Sequence, residues 1–256
     1  MIRKSNVYAI FIILGVVIGC SEEKTIENEL PNQGPSKDEV PQDDKYDKKD
    51  TLVYLSFNGH TLDKSLYEHE VTIDGETSFV YNRDSIPNSA AFFDGNTSLS
   101  LQIKAHDTIE FDFWFAPYVI AKGQSIMDYM EGLFSIGISD IDTSYVNSFG
   151  SATYMISAIS NFPEKETRNF ELRPYPQEFD EFDLSSSVWK HVQIKIGQGI
   201  NPILYINGFR VGQFDNELPL SMDRSAVIVI GADHETNNFF HGKIDDFVIR
   251  NFTINP

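Results

Sequence analysis

The residues of this chain best suited to chemistry begin with Glu178-Phe179-Asp180-Glu181-Phe182-Asp183. Paired carboxylates cleave glycosidic bonds when one is ionised and the other protonated, and a retaining mechanism sets them ~5 Å apart. Alternate residues of a strand share a face, so Glu178 and Asp180 would stand with position 182. That position is Phe, and Asp183 would point to the other face, so the acid/base is missing. The run reads as a solvated acidic loop, and no catalytic residue is assigned. A second set is aromatic. Tyr118, Tyr129, Tyr145, Phe149, Phe162, Tyr175, Phe179 and Phe239 lie in or near turns or within the stretch from Tyr118 to Phe182. Sugar rings dock on exposed aromatic faces, with amide and carboxylate groups fixing their hydroxyls. Tyr175 is the leading ligand contact, because Pro174 and Pro176 stiffen its backbone. Against it stands the plain reading that, at 13% aromatic content, most such rings are core. The sequence has no Gly-rich phosphate loop, His-x-x-x-His pair or Gly-x-Ser-x-Gly elbow.

The N-terminus carries a different kind of chemistry. Arg3 and Lys4 precede an apolar run from Val7 to Ile18. The run falls short of the ~20 residues a spanning helix needs, so residues 1–19 read as a secretory signal. Val17-Ile18-Gly19-Cys20 resembles a bacterial lipobox, which implies cleavage before Cys20 and lipidation of that residue. Cys20 is the chain's single cysteine, so no intramolecular disulfide can form. Several acyl chains, at ~0.8 kcal/mol per buried CH₂, make a firm membrane anchor. Ser21-Glu22-Glu23 lacks the aspartate of an inner-membrane retention signal and is similar to surface-export signals of Bacteroidetes lipoproteins. The same residues also read as the plain start of a polar linker, so the expected location is the outer membrane, lipid-anchored, with the periplasmic and the surface leaflet both open. Residues 20–50, punctuated by Pro31, Pro35 and Pro41, form an acidic linker almost without apolar residues. Such a segment cannot offset its ordering entropy by burial and is expected to be disordered.

Residues 51–256 remain for one folded domain, a size at which β-sandwiches are commonly single units. With 20 basic against 38 acidic residues, the formal charge is −18. Nucleic acid and anionic lipid headgroups call for a basic footprint, so the overall charge argues against them as partners. An acidic surface suits cations, neutral glycans or basic proteins.

Short strands follow one another along this domain. Leu52–Phe57 stops at Asn58-Gly59, and Ala90–Phe93 turns at Asp94-Gly95-Asn96. Ile109, Phe111, Phe113 and Phe115 alternate with Glu110, Asp112 and Trp114 before Pro117. Gly132–Ser139, Thr153–Ile159, Arg168–Arg173 and Val188–Ile196 are further strands, and Asn207-Gly208 is a two-residue hairpin turn. Trp114 and Trp189 read as core residues, and Gly231 and Gly242 as bends where a side chain would clash. The fold class is all-β, a two-sheet antiparallel sandwich.

Several of these segments together resemble a known family. Leu55-Ser56-Phe57-Asn58-Gly59, Ala91–Asn96, Phe111–Pro117, Leu204–Gly212 and Phe240–Ile249 arrive in the order of the laminin-G-like jelly rolls of the concanavalin A-like superfamily. The resemblance runs from Leu52 to Phe252, with an insertion from Tyr118 to Phe182 that has no counterpart. It implies a non-catalytic binding domain, with a glycan as partner or, alternatively, a surface protein as for an adhesin or structural subunit. A glycoside hydrolase of the laminarinase type is the remote third option. The resemblance further implies a structural calcium at Asp245, with Asp63 as a second carboxylate. The other reading of Asp245 is an acceptor of backbone hydrogen bonds at a strand end.

Overall fold

The computed structural model describes residues 49–119, 121–146, 152–162, 165–172, 188–198, 200–213 and 225–253. All of them lie within one compact unit, Gln42–Pro256. The expected signal, the lipidation site and nearly all of the expected linker lie outside the described residues. Every described element is a strand, and the strands form two antiparallel sheets.

The first sheet runs in the order β13 (Phe209–Gln213), β12 (Ile200–Ile206), β11 (Lys190–Gly197), β6 (Thr108–Pro117), β15 (His241–Asn251), β4 (Ala90–Asp94) and β3 (Ser78–Val80). The opening strand β1 (Thr51–Leu55) also pairs with β15. The second sheet runs β10 (Lys165–Leu172), β9 (Ala152–Phe162), β8 (Phe134–Val146), β7 (Gln124–Tyr129), β14 (Ser225–Ile230), β5 (Ser98–Lys104) and β2 (Val71–Asp74). The stretch from Tyr118 to Phe182 is therefore no appendage. It supplies β7 to β10, the larger part of the second sheet, and β7 joins it to β14.

Alternation on β6 sorts its side chains as a half-buried strand should. Phe111, Phe113 and Phe115 point between the sheets and are fully buried, while Glu110, Asp112 and Trp114 take the outer face. Phe111 packs edge-on against Tyr129 of β7 at 5.4 Å and stacks with Phe134 of β8 at 6.2 Å, so one ring ties the two sheets together. Phe113 meets Phe247 of β15 at 5.4 Å. Each such ring buried contributes roughly 1.5–3 kcal/mol. Tyr129, grouped with the turn aromatics by sequence, ends a strand and faces this core. Burial pushes its phenol up, well above the usual range.

Two turns follow their sequence signals. Asn207 and Gly208 have φ of 51° and 82°, as a two-residue hairpin between β12 and β13 requires. Gly231, just after β14, has φ of +84°, and a Cβ there would lie 2.2 Å from the Phe93 ring. Gly242 is close-packed too, against the Phe240 ring and the Ala116 carbonyl. The short strands β2 and β3 carry exposed and half-buried residues; β2 alternates Val71 and Ile73 with Thr72 and Asp74, but over only four residues, and neither strand was among those read from the sequence. Gly231→Ala combines a left-handed backbone with an overfilled core and is expected to cost about 2–5 kcal/mol, read from urea unfolding midpoints.

Candidate functional site

The outer face of the first sheet collects the polar and aromatic side chains that the core excludes. Its axis is β6, whose outward residues Glu110, Asp112, Trp114 and Ala116 are followed in the next position by Tyr118. Antiparallel register places Lys195, Gln193 and His191 of β11 beside Glu110, Asp112 and Trp114. On the other side β15 sets Arg250, Asp245 and Lys243 beside Glu110, Trp114 and Ala116. Asp112 is held by His191 Nε2 at 2.6 Å, Arg250 Nη2 at 3.1 Å and Gln193 Nε2 at 3.2 Å. Burial works to raise its carboxyl, but the bond and charge of His191, then Arg250 and Gln193, outweigh it and hold it below the usual range.

Trp114 stands half-buried among these groups, not in the core where its strand pattern suggested. The His191 ring stacks on it at 4.6 Å, and the Arg83 guanidinium lies 4.8 Å from its centroid. His191 comes from the β11 side and Arg83 is held on the β15 side, so the indole is flanked by both neighbours. It acts as a pillar packed against an imidazole and a guanidinium. Trp189, also expected in the core, is half-buried just ahead of β11.

Arg83 is fixed by two acidic residues. Its Nη1 donates to Asp245 Oδ2 at 2.5 Å and its Nη2 to Asp246 Oδ2 at 2.6 Å. The aspartates occupy a bulge in β15, where pairing with β6 shifts between Asp245 and Val248 and Asp246 takes φ of 46°. Asp245 Oδ1 also accepts the Asp246 amide at 2.8 Å. Asp63 is saturated in its own way. Its Oδ1 accepts the amides of Tyr54 and Ser65, and its Oδ2 meets Ser65 Oγ, the His69 amide and His69 Nδ1, the last at 2.7 Å.

These contacts bear on the calcium reading. Calcium takes six to eight oxygens at ~2.4 Å. Tyr54 stands between the two carboxylate sites, its amide on Asp63 and its phenol 3.3 Å from Asp246 Oδ1. The structure does not bring Asp63 and Asp245 to one centre. Among the described residues no group of three or more His, Cys, Asp or Glu side chains converges to hold a metal. An ion at Asp245 would have to displace Arg83, so the residues present fit calcium poorly. Of the two sequence readings of Asp245, acceptance of a backbone amide is present, joined by an ion pair that sequence did not reveal.

The sheet's rim carries an aromatic platform. Tyr118, 58% exposed, lies 5.4 Å from His241 and 5.9 Å from Phe92, and Phe92 lies 5.7 Å from His241. The amides of Tyr118 and Val119 both donate to the His241 carbonyl, which fixes the platform to β15. Asp94 stands opposite His241 in register. The Asn96 amide and Thr97 hydroxyl donate to its Oδ1, and the Asn96 bond leads in holding its carboxyl below the usual range. Sequence had marked Tyr118 as one turn aromatic among eight; Phe92 and His241 were hidden in strand motifs. Phe239 is half-buried in the loop before β15, and Tyr145 and Phe162 belong to β8 and β9. Cys20, Phe149, Tyr175 and the run Glu178–Asp183 lie outside the described residues.

Known proteins agree with this architecture. Residues 166–256 match the laminin-G-type family model described as the Concanavalin A-like lectin/glucanases superfamily. No curated protein matches the chain in sequence. In structure it is similar to the binding domain of Paraclostridial Mosquitocidal Protein 1, at 19% identity and a TM-score of 0.60, over 81% of this chain and 50% of that one. It is similar also to domain 4 of AbnA, an extracellular arabinanase from Geobacillus stearothermophilus solved with arabinotriose, at 14% identity and a TM-score of 0.55, over 81% and 95%. The binding domain of Botulinum neurotoxin DC, solved with rat synaptotagmin II, aligns at 15% identity and a TM-score of 0.55, over 81% and 49%. The chain thus spans about half the length of the toxin binding domains. At these identities the likeness is one of fold. Residues 166–256 thus resemble that family, and the described strands have a two-sheet fold shared with these binding domains.

Arg83→Met leaves two largely buried carboxylates without their counter-charge and is expected to cost about 2–3 kcal/mol, somewhat less than for a fully enclosed pair. Wild-type melting midpoints should be equal in calcium and in chelator. A midpoint raised by calcium would put an ion at Asp245 after all.

Proposed function

We propose that this chain is a lipid-anchored protein of the cell envelope whose jelly-roll domain binds carbohydrate and does not cleave it. The observation that carries the reading is the platform of Phe92, Tyr118 and His241 beside a preorganised Asp94. A ring face open to solvent supplies apolar area and CH–π attraction for a sugar, and Asp94 supplies an acceptor already oriented for a hydroxyl. A jelly roll of this fold solved with arabinotriose is consistent with that use. Absence of catalysis is supported by the carboxylates that do share a strand face, Glu110 and Asp112. Asp112 is engaged by His191, Arg250 and Gln193, Glu110 lies within ion-pair range of Lys195 and Arg250, and the next outward position is Trp114, so the carboxylates of this face are committed to neighbouring side chains.

The anchor and location rest on the sequence. Lipidated Cys20 and the linker to residue 50 would hold the domain at the outer membrane, clear of the lipid surface, with no role for nucleic acid. Cys20→Ala should move the protein from the membrane fraction to the soluble one, and unchanged partitioning would remove the anchor.

A protein partner is the second reading, favoured by a separate observation. Leu62, Leu66, Tyr67 and Ile73 are exposed, and Leu62 and Ile73 line a groove of about 470 Å³ together with His60 and Phe79. Affinity electrophoresis of the lipid-free chain through gels containing single polysaccharides separates the two. Retardation by at least one polysaccharide, abolished by Tyr118→Ala with the melting midpoint unchanged, is expected. Free migration through every gel would turn the assignment to a protein partner.

A further inference from the structure

The centre of the outer face holds a cation that the rest of the face does not use. Lys243 projects outward from β15, opposite Ala116 on β6 and Phe92 on β4. Ala116, the outward residue between Trp114 and Tyr118, is itself buried by its neighbours. Lys243 lies beside it, half-buried, between the indole pillar and the aromatic platform. Two residues of strand cover ~6.6–6.8 Å, which puts Lys243 one step from His241 and one step from Asp245. Asp245 would be its natural counter-ion, but Asp245 and Asp246 are both drawn to Arg83. Its backbone pairs with Phe92 and Ala116, but among the described residues the Lys243 side chain makes no hydrogen bond or ion pair.

Resting on the carbohydrate reading above, we propose that the ligand is an anionic glycan whose carboxylate or sulfate group is bound by Lys243 while an adjacent sugar ring lies on Tyr118. An ammonium is a compact point charge with rotatable donors and imposes no planar match, so either kind of anionic group suits it. The formal charge of −18 opposes a polyanion at long range. At physiological ionic strength that field is screened beyond ~8 Å, and contact charges decide. Along this strip the aspartates are already engaged: Asp245 and Asp246 by Arg83, and Asp94 in part by Asn96 and Thr97. Among the described residues, Lys243 is the cation of this strip with no carboxylate bonded to its side chain, so a ligand anion would meet its ammonium directly. The overall charge pointed to neutral glycans, and the placement of one lysine reverses that choice at the site.

The test measures dissociation constants of the lipid-free chain at 0.15 M salt for polygalacturonate, its carboxyl-reduced counterpart, dextran sulfate and dextran. The wild type should bind at least one charged polymer roughly tenfold more tightly than its neutral counterpart, the size expected for a hydrogen bond to a charged group. The two pairs show whether carboxylate or sulfate is preferred. Lys243→Gln should erase the difference without weakening the neutral polymer, and Tyr118→Ala should weaken both. Equal binding of charged and neutral polymers by the wild type would overturn the anionic assignment and leave carbohydrate binding standing. A preference that survives in Lys243→Gln would overturn the role of that residue. No binding of any of the four, with retardation by other neutral polysaccharides, would again overturn only the anionic assignment, whereas no binding of any polysaccharide would overturn both readings.

Discussion

The bulge in β15 at Asp245-Asp246, clamped by Arg83, constrains the first sheet more than any other contact. Before the bulge β15 pairs with β4 on one side; after it, the same side pairs with β1. Its other side stays on β6 throughout, with a shift in register at the bulge. One long strand can serve these partners only if it bends between them, and the bend gathers two carboxylates. Such a concentration of negative charge costs free energy unless a cation with matching geometry meets it. The guanidinium does so with one nitrogen per aspartate, a fork that a lysine could not reproduce. Tyr54 of β1 reaches the same place through its phenol.

The site follows from that clamp. Because Arg83 is held over Trp114 and His191 stacks beside it, the indole is a rigid wall. The clamp also withdraws Asp245 from Lys243, one step along the strand. The open aromatic surface is displaced to the rim, where β6 runs out at Pro117 and Tyr118 is fastened to the His241 carbonyl. Stability and the proposed recognition thus share one sheet, the inward face built of phenylalanines and the outward face of paired charges ending in exposed rings.

Legibility differed sharply between these layers. The inward face was plain, because phenylalanine every second residue on β6 has one meaning in a sandwich. Asn207-Gly208 and Gly231 were plain as well, since positive φ and close packing admit few residues. The calcium assignment at Asp63 and Asp245 failed to gather a metal centre for a reason no spacing could show. Arg83 lies more than a hundred residues before Asp245, in a stretch with no strand pattern, and nothing local ties the two. Trp114 misled for a related reason: a large apolar residue on a strand signals burial, but burial by the opposite sheet and burial by stacked neighbours look alike in sequence.

By itself, the amino-acid sequence determined the all-β sandwich, the alternation that divides core from surface, the hairpin turns, and the expectation of a lipidated N-terminus. These are local properties, set by side-chain period and backbone sterics over a few residues. Only the tertiary structure decided that residues 118–182 complete the second sheet, that Arg83 and not a distant carboxylate answers Asp245, and that Phe92, Tyr118 and His241 form one platform with Lys243 beside it. Those facts depend on strand order and register, which bring together residues as far apart in the chain as Tyr54 and Asp246. Pairing across a sheet is chosen by the packing of the whole domain, and no short window of sequence contains it.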